Sequence, residues 1–448
     1  MKAIHFVGIF GSGMSAIAQY LAKTGEAVTG SDRLGNSSDA IHTKSCLEAL
    51  GCKIFSQDGT GITKDTKTVV VSTAIEDSNP DIAAAKAQGI PILHRSDVLA
   101  AIIQSKKSLV IAGTSGKSTV TAMVFELLKA CGKDPSLISG AALRSLQGDG
   151  AIGNAYVGTG DFLVVEGDES DGSLVKYEPM GAVVLNLSKD HKPEAVVLEM
   201  FQTLSKKSQW CLKNKDDRKL DPLEADLSFG FLGGDYTAVK KEGGLFSTTL
   251  QIEGHLFTVA APGDHNASNL LAALAVCQKA GCGLEELALA APAYQGVDRR
   301  FVVHETFQNV TVIDDFAHNP EKIRAALLTA KKFSKRVVAL FQPHGFGPTR
   351  FLKDDYAAMF VDVLEAGDTL IMLPIYYAGG TATKDISSQD LIDLMTEGSF
   401  RAFAPNLRTD AIDIVQSVAG PGDAVLVMGA RDPSLSAFIK TIVATLNG

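Results

Sequence analysis

Short runs of five to seven apolar residues recur along this chain. Most are closed by glycine, an acid or a small polar residue, and many lead into a stretch whose apolar positions repeat at helical spacing. That alternation predicts strand–helix units of a parallel sheet. Residues 4–9 read as a buried strand, Gly8-Ile9-Phe10-Gly11-Ser12-Gly13 as a turn, and residues 14–24 as a helix. Strands are expected over 28–32, 68–73 and 91–94, with helices over 80–88 and 96–104. The polar break Ser105-Lys106-Lys107 marks a first boundary. A second series follows, with strands over 108–112, 161–166 and 181–187 and a helix over 120–130. Between 227 and 260, glycine-rich turns and alternating short runs at 244–247 and 256–259 suggest an antiparallel insert, before a long apolar helix that ends near Ala280. Residues 296–301 look like a hinge. Beyond it, strands over 310–315, 336–341, 369–374 and 424–429 and a helix over 320–333 repeat the theme. The fold class is therefore α/β in three domains, residues 1–105, 106–298 and 299–448. The first and third are Rossmann-like, and the central one is phosphate-loop ATPase-like with an antiparallel insert.

Composition narrows the setting. A chain of 448 residues has room for about three domains. Apolar residues make up 46% and charged residues 21%, as in ordinary globular domains. A net charge of −9 supplies no basic field for nucleic acid or a membrane surface. There is no apolar stretch of about 18 residues and no signal-peptide pattern, so a cytoplasmic protein is expected. The six cysteines form no CxxC pair and no His-Cys cluster, and read as reduced thiols.

The strongest chemical signal is Gly113-Thr114-Ser115-Gly116-Lys117-Ser118-Thr119, between a strand and a helix. Glycines let backbone N–H groups approach phosphate oxygens, and the helix N-terminus adds partial positive charge. Lys117 is placed to reach outer phosphates, and Ser118 to offer its hydroxyl to magnesium. The turn is shorter than the full Walker pattern, with Gly113 three residues before Gly116. A magnesium site needs a carboxylate. Glu166-Gly167-Asp168-Glu169-Ser170-Asp171 supplies four at the C-terminal end of a strand, where open α/β sheets place ligands, and Glu166 is the best placed.

The first turn, Gly8 to Gly13, also opens a Rossmann-type unit, with Asp32 about twenty residues on. Its spacing is not the dinucleotide fingerprint, and by itself it could hold NAD, a nucleotide sugar or nothing. Two phosphate-binding beginnings some 105 residues apart imply two nucleotide-type ligands. His191 follows another parallel-type strand and is a candidate ligand. Asp264 or Asn266 could cap the long helix, or the amides could read a base edge. Arg299 and Arg300 at the hinge could steady a phosphoryl group. Asp314 to Pro320 and Gln342-Pro343-His344 lie at strand ends of the third domain.

Taken together, these motifs resemble the Mur ligases, and within them the branch that joins L-alanine or a peptide to UDP-N-acetylmuramate. The resemblance spans essentially the whole chain. It runs through Gly8 to Ser15, Gly30-Ser31-Asp32, Ser72 to Ile75, Gly113 to Thr119, Glu166 to Ser173 and Asp190-His191. It continues through His265-Asn266 with Asn269, Gly296-Val297 with Arg299-Arg300-Phe301, Asp314 to Pro320 and Gln342-Pro343-His344. The short Gly-Thr-x-Gly-Lys-Ser/Thr loop is the family's own.

The resemblance implies an ATP- and magnesium-dependent amide-forming ligase of cell-wall precursor synthesis or recycling, a monomer or homodimer. Its first domain is expected to bind the UDP-N-acetylmuramate-type nucleotide sugar through Gly11, Ser12, Gly13, Met14, Ser31, Asp32, Ser72, Thr73 and Ala74. The substrate carboxylate would take the γ-phosphate of ATP as an acyl phosphate, and an amine would displace phosphate. By the same resemblance, Gly113 to Thr119 cradle ATP. Lys117 contacts its outer phosphates, Ser118 and Glu166 hold one magnesium, and His191 holds a second. His265, Asn266 and Asn269 face adenine and phosphates, Arg300 the γ-phosphate, and Asp315 and His318 reach the nucleotide from the third domain. His344 and Arg350 would meet the amino substrate. Arginines usual in this family are replaced by Gly345 and Pro348, and a tyrosine by Phe316. Lys192-Pro193-Glu194 follows where the family has an aspartate and a longer loop, and Asp264 stands in for a usual arginine. These departures imply a working ATP site with altered amino-substrate recognition. The alternatives are a related ligase for another acid and amine, or a non-catalytic ATP-binding relative.

Overall fold

A computed structural model describes residues 2–35, 37, 40–148, 150–189, 192–242, 244–306, 308–377, 382–432 and 434–448. The first strand, β1 (Ala3–Val7), stops two residues short of the expected end because Gly8 turns the chain at φ +78°. It joins β2 (Val28–Ser31), β3 (Lys53–Phe55), β4 (Thr66–Val71) and β5 (Ile92–His94) in a parallel sheet of order β3-β2-β1-β4-β5. Helices α1 (Ser12–Lys23), α2 (Ile41–Ala49), α3 (Pro80–Ala87) and α4 (Arg95–Gln104) accompany it. The strand order reverses between β1 and β4. The Gly8–Gly13 turn therefore opens at the switch-point crevice of a doubly wound sheet.

The next sheet holds β6 (Lys107–Ala112), β7 (Ser136–Ile138), β8 (Ala155–Tyr156), β9 (Phe162–Glu166), β10 (Gly181–Val184), β11 (Trp210–Asn214) and β12 (Leu227–Phe229). Its order is β12-β11-β10-β6-β9-β7-β8, parallel except for the β7–β8 pair. β6 is central and wholly apolar from Leu109 to Ala112, as a strand covered on both faces should be. The insert is a three-stranded antiparallel sheet of β13 (Val239–Lys241), β14 (Thr248–Ile252) and β15 (His255–Val259). Its middle strand lies at 248–252, not at the expected 244–247, where Ser247 closes a turn onto Gly244. The β14–β15 hairpin turns through Glu253 and Gly254, both at positive φ, which matches the twist of a two-residue loop. Helices α5 (Lys117–Ala130), α6 (Glu194–Lys207), α7 (Asp264–Lys279) and α8 (Leu284–Ala290) belong to this stretch of chain.

The last sheet contains β16 (Val302–Glu305), β17 (Thr311–Asp315), β18 (Val337–Gln342), β19 (Thr369–Met372), β20 (Arg401–Phe403) and β21 (Ala424–Gly429). It runs β16-β17-β21-β18-β19-β20, with only β16 antiparallel. Helices α9 (Pro320–Lys331), α10 (Phe346–Val363), α11 (Ser388–Asp393), α12 (Asp410–Val418) and α13 (Leu435–Asn447) complete it.

The chain divides into two compact units, residues 1–260 with 266–298, and residues 261–265 with 299–448. In the first, one core continues from Phe6, Ile17 and Ile103 to Val110, Leu163 and Val184, so the first two sheets are packed as one body. In the second, Ile313, Phe341, Phe360 and Leu426 centre one apolar layer, and Val312, Leu340, Val425 and Ile439 the other. All six cysteines are free thiols. Among the described residues no helix is long and apolar enough to cross a membrane.

Candidate functional site

The Gly113–Gly116 turn leaves β6 between the ends of its two neighbours, β9 and β10. Gly113 and Gly116 both have positive φ, +144° and +82°. A Cβ on Gly116 would stand 2.4 Å from Asn269 Oδ1, so only glycine fits there. Asn186, just past β10, clamps the turn. Its Oδ1 accepts from Thr114 Oγ1 (2.9 Å) and Ser115 N–H (2.8 Å), and its Nδ2 donates to Ser115 O (3.0 Å). Thr114 Oγ1 also lies 2.9 Å from Ser188 Oγ. Asn269 Nδ2 donates to Asn266 Oδ1 on the same buried helix face (3.0 Å).

Lys117 opens α5 and folds back. Its Nζ donates to Gly113 O and pairs with Glu169, both at 2.8 Å, with the side chain largely buried. Burial alone would lower its pKa. Glu169, with Asp168 and Glu166 behind it, outweighs that and raises it, so the ammonium stays charged. Ser118 Oγ donates to Glu166 Oε1 (2.7 Å), while Glu166 Oε2 accepts from Ser139 Oγ (2.9 Å) and Gly140 N–H (2.8 Å). Thr119 completes the first turn of the helix, half-buried. The four expected carboxylates thus sort by partner. Glu166 faces Ser118 and Glu169 faces Lys117, while Asp168 and Asp171 face Arg95 at 3.4 and 2.6 Å. Asp190 and His191 lie outside the described residues. Among the described residues no group of three or more His, Cys, Asp or Glu is arranged to hold a metal ion.

The first turn is built differently. Asp32 is buried, and its carboxylate accepts from Phe10 N–H and Leu34 N–H, both at 3.0 Å. It fixes the turn's backbone from below. Ser31 is buried and donates to Asp81, which also accepts from Gly59 N–H (2.7 Å). Gly11 and Ser12 are exposed, Gly13 is half-buried, and Met14 is in the core. Ser72, Thr73 and Ala74 follow β4, and a Cβ on Gly8 would meet Ile75 Cδ1 at 3.1 Å, so the two turns adjoin. Asn154 Nδ2 donates to Ser12 O (2.9 Å) and its Oδ1 accepts from Gln19 (2.7 Å), tying α1 to β8.

In the second unit, Arg299 and Phe301 have positive φ, +55° and +51°. Asp315 accepts from Phe301 N–H (2.9 Å) and Ala317 N–H (2.7 Å). Burial raises its pKa, offset in part by Arg300. The guanidinium groups of Arg299 and Arg300 lie 5.2 and 5.0 Å from the Phe316 ring centre. His318 stacks edge-on against Phe316 (5.8 Å) and His344 (5.5 Å). Arg299, Arg300 and His318 therefore lie against Phe316, His344 lies against His318, and Asp315 ties Phe301 to Ala317. Arg350 is otherwise engaged. It is exposed on α10, and its guanidinium is bonded to Asp385 and to Thr383 O (3.1 Å). His265 is exposed and belongs to this unit, where its neighbour Asp264 pairs with Lys332 (2.7 Å), whereas Asn266 and Asn269 belong to the first.

Sequence reasoning did not single out Asn186, Ser139, Asn154 or Arg95. The available signal was weak: a polar residue just past a buried strand for Asn186 and Ser139, and a lone cation opening a helix for Arg95.

Three family models match the chain in order: the Mur ligase family catalytic domain over residues 3–107, the Mur ligase middle domain over 111–277, and the Mur ligase glutamate ligase domain over 299–431. The chain belongs to the Mur ligase family. It is 36% identical to the UDP-N-acetylmuramate–L-alanine ligase of Synechococcus sp. (strain JA-3-3Ab), over all of this chain and 88% of that protein. It is 35% identical to the enzyme of the same name from Paenarthrobacter aurescens, over 99% and 97%. The crystal structure of UDP-N-acetylmuramate–alanine ligase from Thermotoga maritima superposes with a TM-score of 0.80 at 26% identity, covering 99% of this chain and 98% of that one. The three-domain α/β architecture of the Mur ligases is thus the architecture found here.

Proposed function

We propose that this Mur ligase joins L-alanine to the carboxylate of UDP-N-acetylmuramate at the expense of ATP. The observation that carries the proposal is the grouping of Lys117, Ser118 and Glu166 on a phosphate-type turn. Names of full-length relatives at 35–36% identity supply the substrates. In this reading residues 1–105 bind the nucleotide sugar, 106–298 bind ATP with magnesium, and 299–448 bind the amino acid.

The donor set fits magnesium, a hard cation that takes hydroxyl and carboxylate oxygens: Ser118 Oγ and Glu166 Oε1 already converge to 2.7 Å. ATP supplies the phosphoryl group that activates the carboxylate. The chain's own residues then have separable tasks. Backbone N–H groups of 113–119 surround the phosphates. Lys117 leaves Glu169 to meet the outer phosphate oxygens. By resemblance alone, Arg300, Asp315 and His318 are assigned to the nucleotide and His344 to the amino substrate. His191 is assigned to a second ion by resemblance alone. Charge gathers on the transferring phosphoryl group, so fixed cations and N–H donors stabilise it.

The test is phosphate release from ATP and magnesium with UDP-N-acetylmuramate, scanning L-alanine, other amino acids and the wall tripeptide. Release that depends on L-alanine, with a product of matching added mass, is expected. Release that ignores the amine would overturn the reading. Preference for the tripeptide would establish a second reading, which one observation favours: Gly345 and Pro348 stand where the family resemblance leads one to expect arginines, and Arg350 is held by Asp385.

A further inference from the structure

We propose that Arg95 is a positioning residue that couples the two nucleotide turns of the first compact unit, so that occupancy of one is felt at the other. The inference rests on the reading of both turns as nucleotide sites, and adds how they communicate.

Arg95 is the first residue of α4, and its backbone is fixed there. His94 caps the helix, its ring nitrogen accepting from Ser96 N–H (3.3 Å), while Asp97 accepts from His94 N–H (3.1 Å). The side chain reaches two places. One terminal nitrogen, Nη2, donates to Asp171 (2.6 Å) and approaches Asp168 (3.4 Å). The other, Nη1, lies against Gly13 in the first turn of α1, so closely that a Cβ there would stand 2.3 Å from it. Asp168 and Asp171 flank Glu169, the carboxylate that holds Lys117. An uninterrupted series therefore runs from Gly13 through Arg95 and the 168–171 segment to Lys117.

A guanidinium is planar and rigid, and can serve an anion on one edge while a carboxylate holds the other. An anionic ligand at the Gly11–Gly13 turn draws on the same cation that Asp168 and Asp171 share. When Arg95 leans toward that ligand, the hold on the 168–171 segment loosens, and with it the geometry of Glu169 on Lys117. Binding at either turn then alters affinity at the other by the same factor, as linkage requires. A second bridge also leaves α4 but reaches the 173–176 segment instead. Lys176 pairs with Asp97 at 2.6 Å, and both side chains are about 40% exposed. It is a built-in control.

The experiment measures the dissociation constant of a non-hydrolysable ATP analogue with magnesium, alone and with saturating UDP-N-acetylmuramate, by calorimetry. It is run on the full chain, on R95Q and R95K, and on K176A. The wild-type ratio of the two constants should differ from one by about 5-fold or more, the usual scale of coupling between sites. R95Q should bring the ratio to near one while still binding each ligand singly, R95K should retain part of it, and K176A should keep the wild-type ratio. A wild-type ratio of one, an unchanged ratio in both Arg95 variants, or an equal loss in K176A would overturn the proposal. Failure of the wild type to bind either ligand singly would instead overturn the assignment of the turns. Should R95Q not fold, R95K against K176A decides.

Discussion

The two glycine turns are the same device built with different supports. Each follows the central part of a parallel sheet and leads into a helix whose first turn is open to a ligand. The Gly113–Gly116 turn carries its own cation: Lys117 is the next residue, and a serine–carboxylate pair stands beside it. The Gly8–Gly13 turn carries none. Its backbone is held by Asp32, and the cation against it, Arg95, comes from more than eighty residues downstream. The difference separates their tasks. A turn with its own lysine and metal-type oxygens can stabilise charge that moves during a reaction. A turn held by a buried carboxylate, with a shared cation at its edge, can bind a diphosphate that does not change.

The largest expected effect breaks that comparison most directly. Lys117→Ala removes the only cation the second turn supplies, and turnover should fall by at least about a thousandfold, on the scale seen when charge-stabilising groups are lost. The fold should persist but the thermal midpoint should drop by a few degrees, because buried Glu169 loses its charge partner. Loss of the folded state would instead make the turnover result uninformative, and Lys117→Met would replace it. Near-normal turnover would remove the distinction between the turns. Next in size is Glu166→Ala, which deletes the carboxylate facing Ser118. A magnesium titration of activity should shift to about tenfold or more higher metal; an unmoved curve would mean that the pair does not hold the ion.

The legibility of the two turns differs for the same reason. Lys117, Ser118 and Glu166 could be read from the chain because two lie side by side and the third ends a recognisable strand. The parallel sheets were equally plain, since buried strands are unbroken apolar runs. What stayed hidden depends on separation. Arg95 looks like any surface arginine until α4 is docked beside α1 and the acidic segment. The role of Asn186 appears only once β10 lies next to β6. In the third domain, Arg300 and His318 meet at Phe316 and His344 meets His318, which joins three chain segments that spacing alone could not bring together. Arg350, assigned by the family resemblance, is bonded to Asp385, a partner that lies 35 residues on and that spacing gave no reason to expect.

A smaller effect is expected at the first turn. Asp32→Asn keeps the shape but leaves one oxygen to serve two backbone donors, Phe10 N–H and Leu34 N–H. Losing one such bond costs about 1 kcal/mol. The KM for UDP-N-acetylmuramate should therefore rise about fivefold, while kcat at saturation and the KM for ATP stay near wild type. A fall in kcat instead would mean that the first turn takes part in the chemistry.

The smallest effect is in the acid limb of stability, and it tests whether the ion network of the second turn is set before any ligand arrives. Burial pushes the Asp168 carboxyl up, but Lys117, the Ser170 backbone N–H and Arg95 together hold it below its ordinary value. A carboxylate depressed in the folded state adds stability that is fully present above its unfolded pKa, about 3.9, and is lost as pH falls through the folded value. Lys117 has the opposite sign. Its raised pKa adds stability below about pH 10.4 and loses it only as pH rises beyond that. Between pH 5 and 9 both groups are charged and the network is constant. Because the Asp168 side chain is 42% exposed, its share is discounted to under about 1 kcal/mol. Urea unfolding at pH 6 and pH 3 should show the wild type losing slightly more stability than Asp168→Asn. An Asp168→Asn loss equal to that of wild type would mean that this carboxylate is not held by Lys117 and Arg95 in the free protein. The charge series between the turns would then form only once a nucleotide binds.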